Sequence, residues 1–255
     1  MAVTTAAAMA RMRGRPGALA WALWALAMLG LVTSPWLDHL IRQAGRADLV
    51  QLNAEAVPYV LTLVSAATVG AVLASRRPAH PVGWLLLALG LSVVASGITE
   101  AYAYYGVLAR PGALPAAEYA AVYDDASFIA WPGLLAFVLL LTPTGSLPSP
   151  RWRWWARIAA AAPVVYLLAA ALRTQPLDPP LQSVTSPLAV PALAGPVEVV
   201  AFLALIVTQF AVLVGGASLV VRFRRSHGVE RQQLRWVALA AGLSAASVLL
   251  VVVAR

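Results

Sequence analysis

The chain has 255 residues, of which 61% are hydrophobic and only 11% charged, with a mean hydropathy of +0.80. A globular domain is about a quarter charged, so this composition excludes a chain that wraps a core in a solvated surface. The net charge of +8 does not mark a nucleic-acid binder, because the arginines flank apolar runs and form no contiguous basic face. The lack of cysteine excludes disulfides and thiolate metal sites.

A bilayer-spanning helix needs about 20 mainly apolar residues, and seven segments qualify. The first, 18–36, follows Arg11, Arg13 and Arg15 and is too long for the apolar core of a signal peptide, so it reads as a retained helix. The second covers 57–75 and ends at Arg76 and Arg77. In the third, 82–102, Gly83, Gly90 and Gly97 recur every seven residues near one face, which predicts a close-packed seam. The fourth, 127–142, is short, with Trp131-Pro132 near one end. Asp124 and Asp125 precede it and read as carboxylates at a helix N-terminus rather than as a paired acid and base. The fifth, 154–172, starts among Arg151, Trp152, Arg153, Trp154, Trp155 and Arg157, an interfacial anchor, and Pro163 predicts a kink at mid-depth. Thr208 and Gln209 lie midway along the sixth, 197–221, placed for interhelical hydrogen bonds. The seventh, 234–254, follows the basic stretch from Arg222 to Arg235. Of the remaining stretches, 37–56, 103–126 and 173–196 read as loops, the last a proline-rich, extended cover.

Charge is sorted by position. Thirteen of the eighteen arginines fall in alternate gaps, and nine of the ten acids, Asp38 to Glu198, in the others. Basic loops are retained on the cytoplasmic side. The expected topology therefore has the N-terminus and the loops 76–81, 143–153 and 222–233 in the cytoplasm, and Arg255 outside. The fold class is all-α: one polytopic transmembrane domain over 1–255, about seven helices in the cell membrane, with no soluble domain. All basic side chains are arginine and alanine is abundant, the composition of a GC-rich bacterial genome.

Buried ionisable groups are the first place to look for function in a membrane. Glu100, near the end of the third span and followed by Tyr102, Tyr104 and Tyr105, is the weak candidate for ligand binding. It reads either as an acid lining an outward-facing pocket, open to a cation or a proton, or as an interfacial carboxylate in an aromatic belt, and the sequence favours the second. His39, His80 and His227 have no partner at metal-ligand spacing. No nucleotide loop, dinucleotide fingerprint, nucleophile elbow or zinc-helix motif occurs. The expectation is a non-enzyme without cofactor or metal, whose certain partner is the lipid bilayer.

Three segments together carry a resemblance. They are Arg76-Arg77-Pro78-Ala79-His80-Pro81-Val82-Gly83-Trp84, then Thr142-Pro143-Thr144-Gly145-Ser146-Leu147-Pro148-Ser149-Pro150-Arg151-Trp152, then Arg224-Arg225-Ser226-His227-Gly228-Val229-Glu230-Arg231-Gln232-Gln233-Leu234-Arg235-Trp236. In order and spacing this set resembles the multi-span N-terminal region of actinobacterial sensor histidine kinases, over about residues 56–254. In that family a further span, a dimerisation helix and an ATP-binding domain follow. No position here matches their motifs, so the resemblance implies a sensor half without its output half: a truncated gene, a split gene or a degenerate relic. It implies a signal-input module acting by helix repacking, as a homodimer or with a kinase on another chain. It supplies no ligand. The proline-stiff 143–150 loop reads as a tight connection or, alternatively, as a transmitter of helix shifts. A small transporter or permease subunit is the alternative function, and a structural membrane protein a third; transport requires a polar path at mid-depth, where only Ser65, Thr68, Thr208 and Gln209 are found.

Overall fold

The computed structural model describes residues 2–52 and 56–225. Within them the chain is helical, with no strand. The helices are α1 (Ala2–Gln43), α2 (Val57–Arg76), α3 (Pro81–Ala103), α4 (Ala117–Ser127), α5 (Ala130–Leu141), α6 (Trp152–Leu172) and α7 (Ala194–Arg225). Six stretches are long and apolar enough to cross a bilayer, with α4 and α5 together forming the fourth, Ala117–Leu141. The architecture is that of a multi-pass membrane protein. The seventh expected span, 234–254, lies outside the described residues, as does His227.

Large and small side chains are inverted relative to a water-soluble protein. Large apolar groups such as Val32 (70% exposed), Leu29 (66%) and Leu213 (69%) face outward, and alanines fill the interior. A bilayer explains both: the lipid-facing side needs no polar cover, and helices associate there through close backbone approach at small residues. In α7 the buried positions are Val197, Ala201, Ala204, Thr208, Ala211, Gly215 and Ser218, a spacing of three and four residues that keeps them on one helix face.

The glycine seam of α3 is present. A Cβ on Gly83 would stand 2.6 Å from the Ala74 backbone nitrogen, and one on Gly90 would stand 2.9 Å from Ala67 Cβ. Both glycines pack on α2, which answers with Gly70, whose own Cβ would meet Leu87 N at 2.6 Å. The third glycine differs: Gly97 faces Ser34 of α1 across 3.7 Å, and there the packing opens. Helix α3 is central, touching α1, α2, α4 and α5, while α7 packs on α5 and α6.

Several expected boundaries move. The stretch 103–126 is not a loop: α3 passes into a π-helical turn, Tyr104–Ala109, and α4 begins at Ala117. Pro132, the third residue of α5, lies just past the break between α4 and α5. It has no N–H to return to Phe128, whose carbonyl instead accepts from Trp131 N at 3.2 Å. Helix α6 runs unbroken through Pro163, whose ring fits against Gly133 at 3.2 Å from that residue's would-be Cβ. The 173–196 cover is pinned rather than extended. Leu177, Leu181 and Val184 are buried over Ala103, Ala121 and Val122, and Ser186 Oγ donates to Ala171 O.

Candidate functional site

At the end of the bundle where α1 and α3 finish, the helices diverge around a cavity of about 390 Å³. Its deep part is apolar, with Leu31 of α1, Val60 and Leu63 of α2, and Val93 of α3. Its outer part is polar, with Ser34, Asp38, Gln51, Ser96, Glu100 and Trp131. On α3 the lining runs from Val93 through Ser96 to Glu100, and Val93 and Glu100 lie about 10 Å apart at 1.5 Å per residue. The volume falls within the range of about 300–1,000 Å³ common to small-ligand pockets.

The polar rim is held by the chain itself. Asp38 is buried and accepts from two backbone amides, Gln51 N at 3.3 Å and Leu52 N at 2.9 Å. A carboxylate bonded to N–H groups is stronger than a neutral acceptor, so Asp38 draws the 44–52 segment over the cavity mouth. Arg46 steadies that segment from outside, paired with Asp48 at 2.8 Å and donating to Leu108 O at 3.3 Å. Ser96 Oγ donates to Asp124 Oδ1 at 3.1 Å, and Ser127 Oγ donates to Ser96 Oγ at 3.0 Å, tying α3 to α4 behind the cavity.

Glu100 therefore lines a cavity. Tyr102, one of the expected belt residues, donates its hydroxyl to Pro115 O at 2.8 Å. Asp38 and Asp124 both act on Glu100 electrostatically, and among the described residues no arginine forms a salt bridge with any of the three. The side chains of Tyr104 and Gln51 face the Glu100 carboxylate within hydrogen-bonding reach, and Trp131 Nε1 on the wall is buried with no hydrogen-bond partner among the described residues. Buried donors are seldom left unmet, so this rim is incomplete as it stands.

Asp124 and Asp125 are not at a helix N-terminus. They lie in the last turn of α4, eight and nine positions into an 11-residue helix, because the helix starts earlier than the apolar run does. Asp124 faces Ser96, and Asp125 accepts from Asp178 N at 3.1 Å. Among the described residues Thr208 makes no interhelical bond; its hydroxyl donates to Ala204 O within α7 at 2.8 Å, and Gln209 is exposed. Trp155 is more than an interfacial anchor, since it meets Phe210 of α7 edge-on at 5.7 Å. Trp154 does lie outward, under the Arg157 guanidinium at 4.9 Å. Among the described residues no group of three His, Asp or Glu side chains is placed to hold a metal ion.

The opposite end of the bundle carries a second polar cluster, which sequence reasoning did not assemble. His80, just before α3, donates from Nε2 to Pro143 O at 2.9 Å, with its ring against Gly145. Gly145 has φ +73°, a conformation that suits glycine. Arg222, on the buried stripe of α7, donates to Thr144 Oγ1 at 2.8 Å, to Leu140 O at 3.1 Å and to Ser146 O. The 143–150 loop is thus clasped between the start of α3 and the end of α7. The signal for Arg222 was present in the sequence: it continues the small-residue stripe four positions after Ser218.

No protein-family model matches this chain, and no curated protein or solved structure is significantly similar to it. The functional reading rests on the residues themselves.

Proposed function

We propose that this protein is a membrane-embedded signal-input module, with its ligand cavity on the extracytoplasmic side of a bacterial cell membrane and its output at the arginine-rich cytoplasmic end. The reading is carried by one observation: α3 borders the cavity through Glu100 and begins directly after His80, which sits in the clasp of the 143–150 loop. Its 23 residues span about 34 Å, so a shift of α3 on occupation of the cavity is delivered to that loop and, through Arg222, to α7. Two of the three quoted segments, 76–84 and 142–152, meet in the clasp; output through a kinase on another chain or through a homodimer is what their resemblance to sensor histidine kinases implies. We assign it no catalytic step.

Transport is the competing reading, and the cavity argues against it. Its lining ends at Gly30, Leu63 and Val93, and Thr68, further toward the arginine end, is taken by Trp24 Nε1 at 3.0 Å. The test uses nanodiscs carrying a single cysteine, Ser146→Cys, labelled by an impermeant maleimide. Filling the cavity with Gly97→Leu is expected to change the labelling rate about threefold or more, the effect of a shift of under 1 kcal/mol in a two-state equilibrium. An unchanged rate, together with Glu100-dependent solute flux in proteoliposomes, would overturn the sensor reading in favour of transport.

A further inference from the structure

The cavity has an unusual pairing of surfaces. Its deep wall offers only apolar groups, while its rim offers acidic groups without a paired cation among the described residues and one buried donor, Trp131 Nε1, without an acceptor. A lipid tail alone satisfies the first and leaves the second unmet. A hydrated inorganic cation satisfies the acids and leaves the apolar half empty. A carboxylate or phosphate head meets the Trp131 N–H but is repelled by Asp38 and Glu100.

We infer that the cavity binds a single-chain amphiphile whose head is a primary ammonium bearing a neighbouring hydroxyl, its tail lying along Leu31, Leu63 and Val93. The ammonium meets Glu100, with Asp38 on the same rim adding charge. The hydroxyl oxygen accepts from Trp131 Nε1. Entry is from the membrane–water border, where Tyr59 (64% exposed) and Leu52 (43% exposed) flank the opening, so the ligand arrives by partitioning into the outer leaflet. This identification rests on the cavity being a ligand site, and it adds the ligand's chemistry.

The experiment is equilibrium binding to the protein in phosphatidylcholine nanodiscs, with three probes of equal chain length: a dodecyl amino alcohol, dodecanoate and dodecanol. Empty nanodiscs give the partitioning background. The amino alcohol is expected to bind saturably, and dodecanoate not above background. Glu100→Gln is expected to weaken the amino alcohol about tenfold or more, since it removes a charged hydrogen bond, while leaving dodecanol unchanged. Gly97→Leu, which fills the cavity, is expected to abolish saturable binding of every probe. Circular dichroism of each variant confirms folding, and Ser34→Leu fills the same space from α1 if Gly97→Leu does not assemble. If dodecanoate or dodecanol binds as well as the amino alcohol and Gly97→Leu blocks it, the ligand class is wrong and the cavity remains a receptor site. If no probe binds above background to the folded protein, the ligand class is wrong again, and the labelling test with Ser146→Cys decides the sensor reading separately.

Discussion

Gly215 and Gly216 are neighbours in α7, and the structure assigns them opposite consequences on substitution. A Cβ on Gly215 would stand 2.9 Å from the backbone oxygen of Ala136 and 3.1 Å from Leu139 Cβ, whereas ordinary contact begins at 3.4 Å. The obstruction is main chain in α5, so it yields only if α5 and α7 separate by about half an ångström along their length. Overpacking of this kind costs about 1–3 kcal/mol. Both substitutions also gain about 0.4–1 kcal/mol by restricting the unfolded chain. Gly215→Ala is therefore expected to lose about 1–2 kcal/mol net, combining the two effects. Gly216 has no described atom within 4 Å of its would-be Cβ, so Gly216→Ala keeps only the gain. The difference between the two variants isolates the steric contact, because helix propensity and loss of glycine are common to both. Thermal denaturation in one detergent, followed by circular dichroism, measures it. Equal midpoints for the two variants, or a Gly215→Ala protein as stable as the parent, would refute the close approach of α5 and α7.

Asp38→Ala leaves the amides of Gln51 and Leu52 without their acceptor, and unsatisfied buried donors cost about 1–3 kcal/mol; hydrogen exchange at these two amides should accelerate while the seam between α2 and α3 stays protected. Arg222→Gln removes the fork that reaches Thr144, Leu140 and Ser146, so limited proteolysis within 143–150 should become several-fold faster with the helical content unchanged. The Arg46 hydrogen bond holds the Asp48 carboxylate below its ordinary range. A depressed folded-state pKa contributes stability above the unfolded value of about 3.9 and loses it as pH falls through the lower folded value. Protection factors in the 44–52 segment (exchange corrected for the intrinsic rate at each pH) should thus be flat from neutral pH down to the usual carboxylate range and fall only below it; Arg46→Gln should move that fall upward toward the ordinary value.

The spans were legible because lipid imposes a one-dimensional rule: length and apolarity suffice, whatever the helix packs against. The seam at Gly83 and Gly90 followed from the same economy, since a heptad of glycines has one use between close helices. The fourth span was misjudged at its start because α4 is amphipathic: Glu118, Asp124 and Asp125 interrupt the apolar run, although the side of the helix bearing Ala117, Ala121 and Val122 is buried. Hydropathy averages around a helix and cannot see which side of it is covered. That error also misplaced Asp124, read as an end cap when it faces Ser96.

Sequence by itself determined that this is an all-helical chain with apolar helices sized to a bilayer and with its charges sorted between alternate gaps, because hydrophobicity and charge act residue by residue along the chain. Only the tertiary structure decided that Asp38, Glu100 and Trp131 share a cavity, and that His80, Pro143 and Arg222 share a clasp. Those groups lie on three different helices or loops, and what brings them together is the approach of small-residue faces, whose pairings no local pattern specifies.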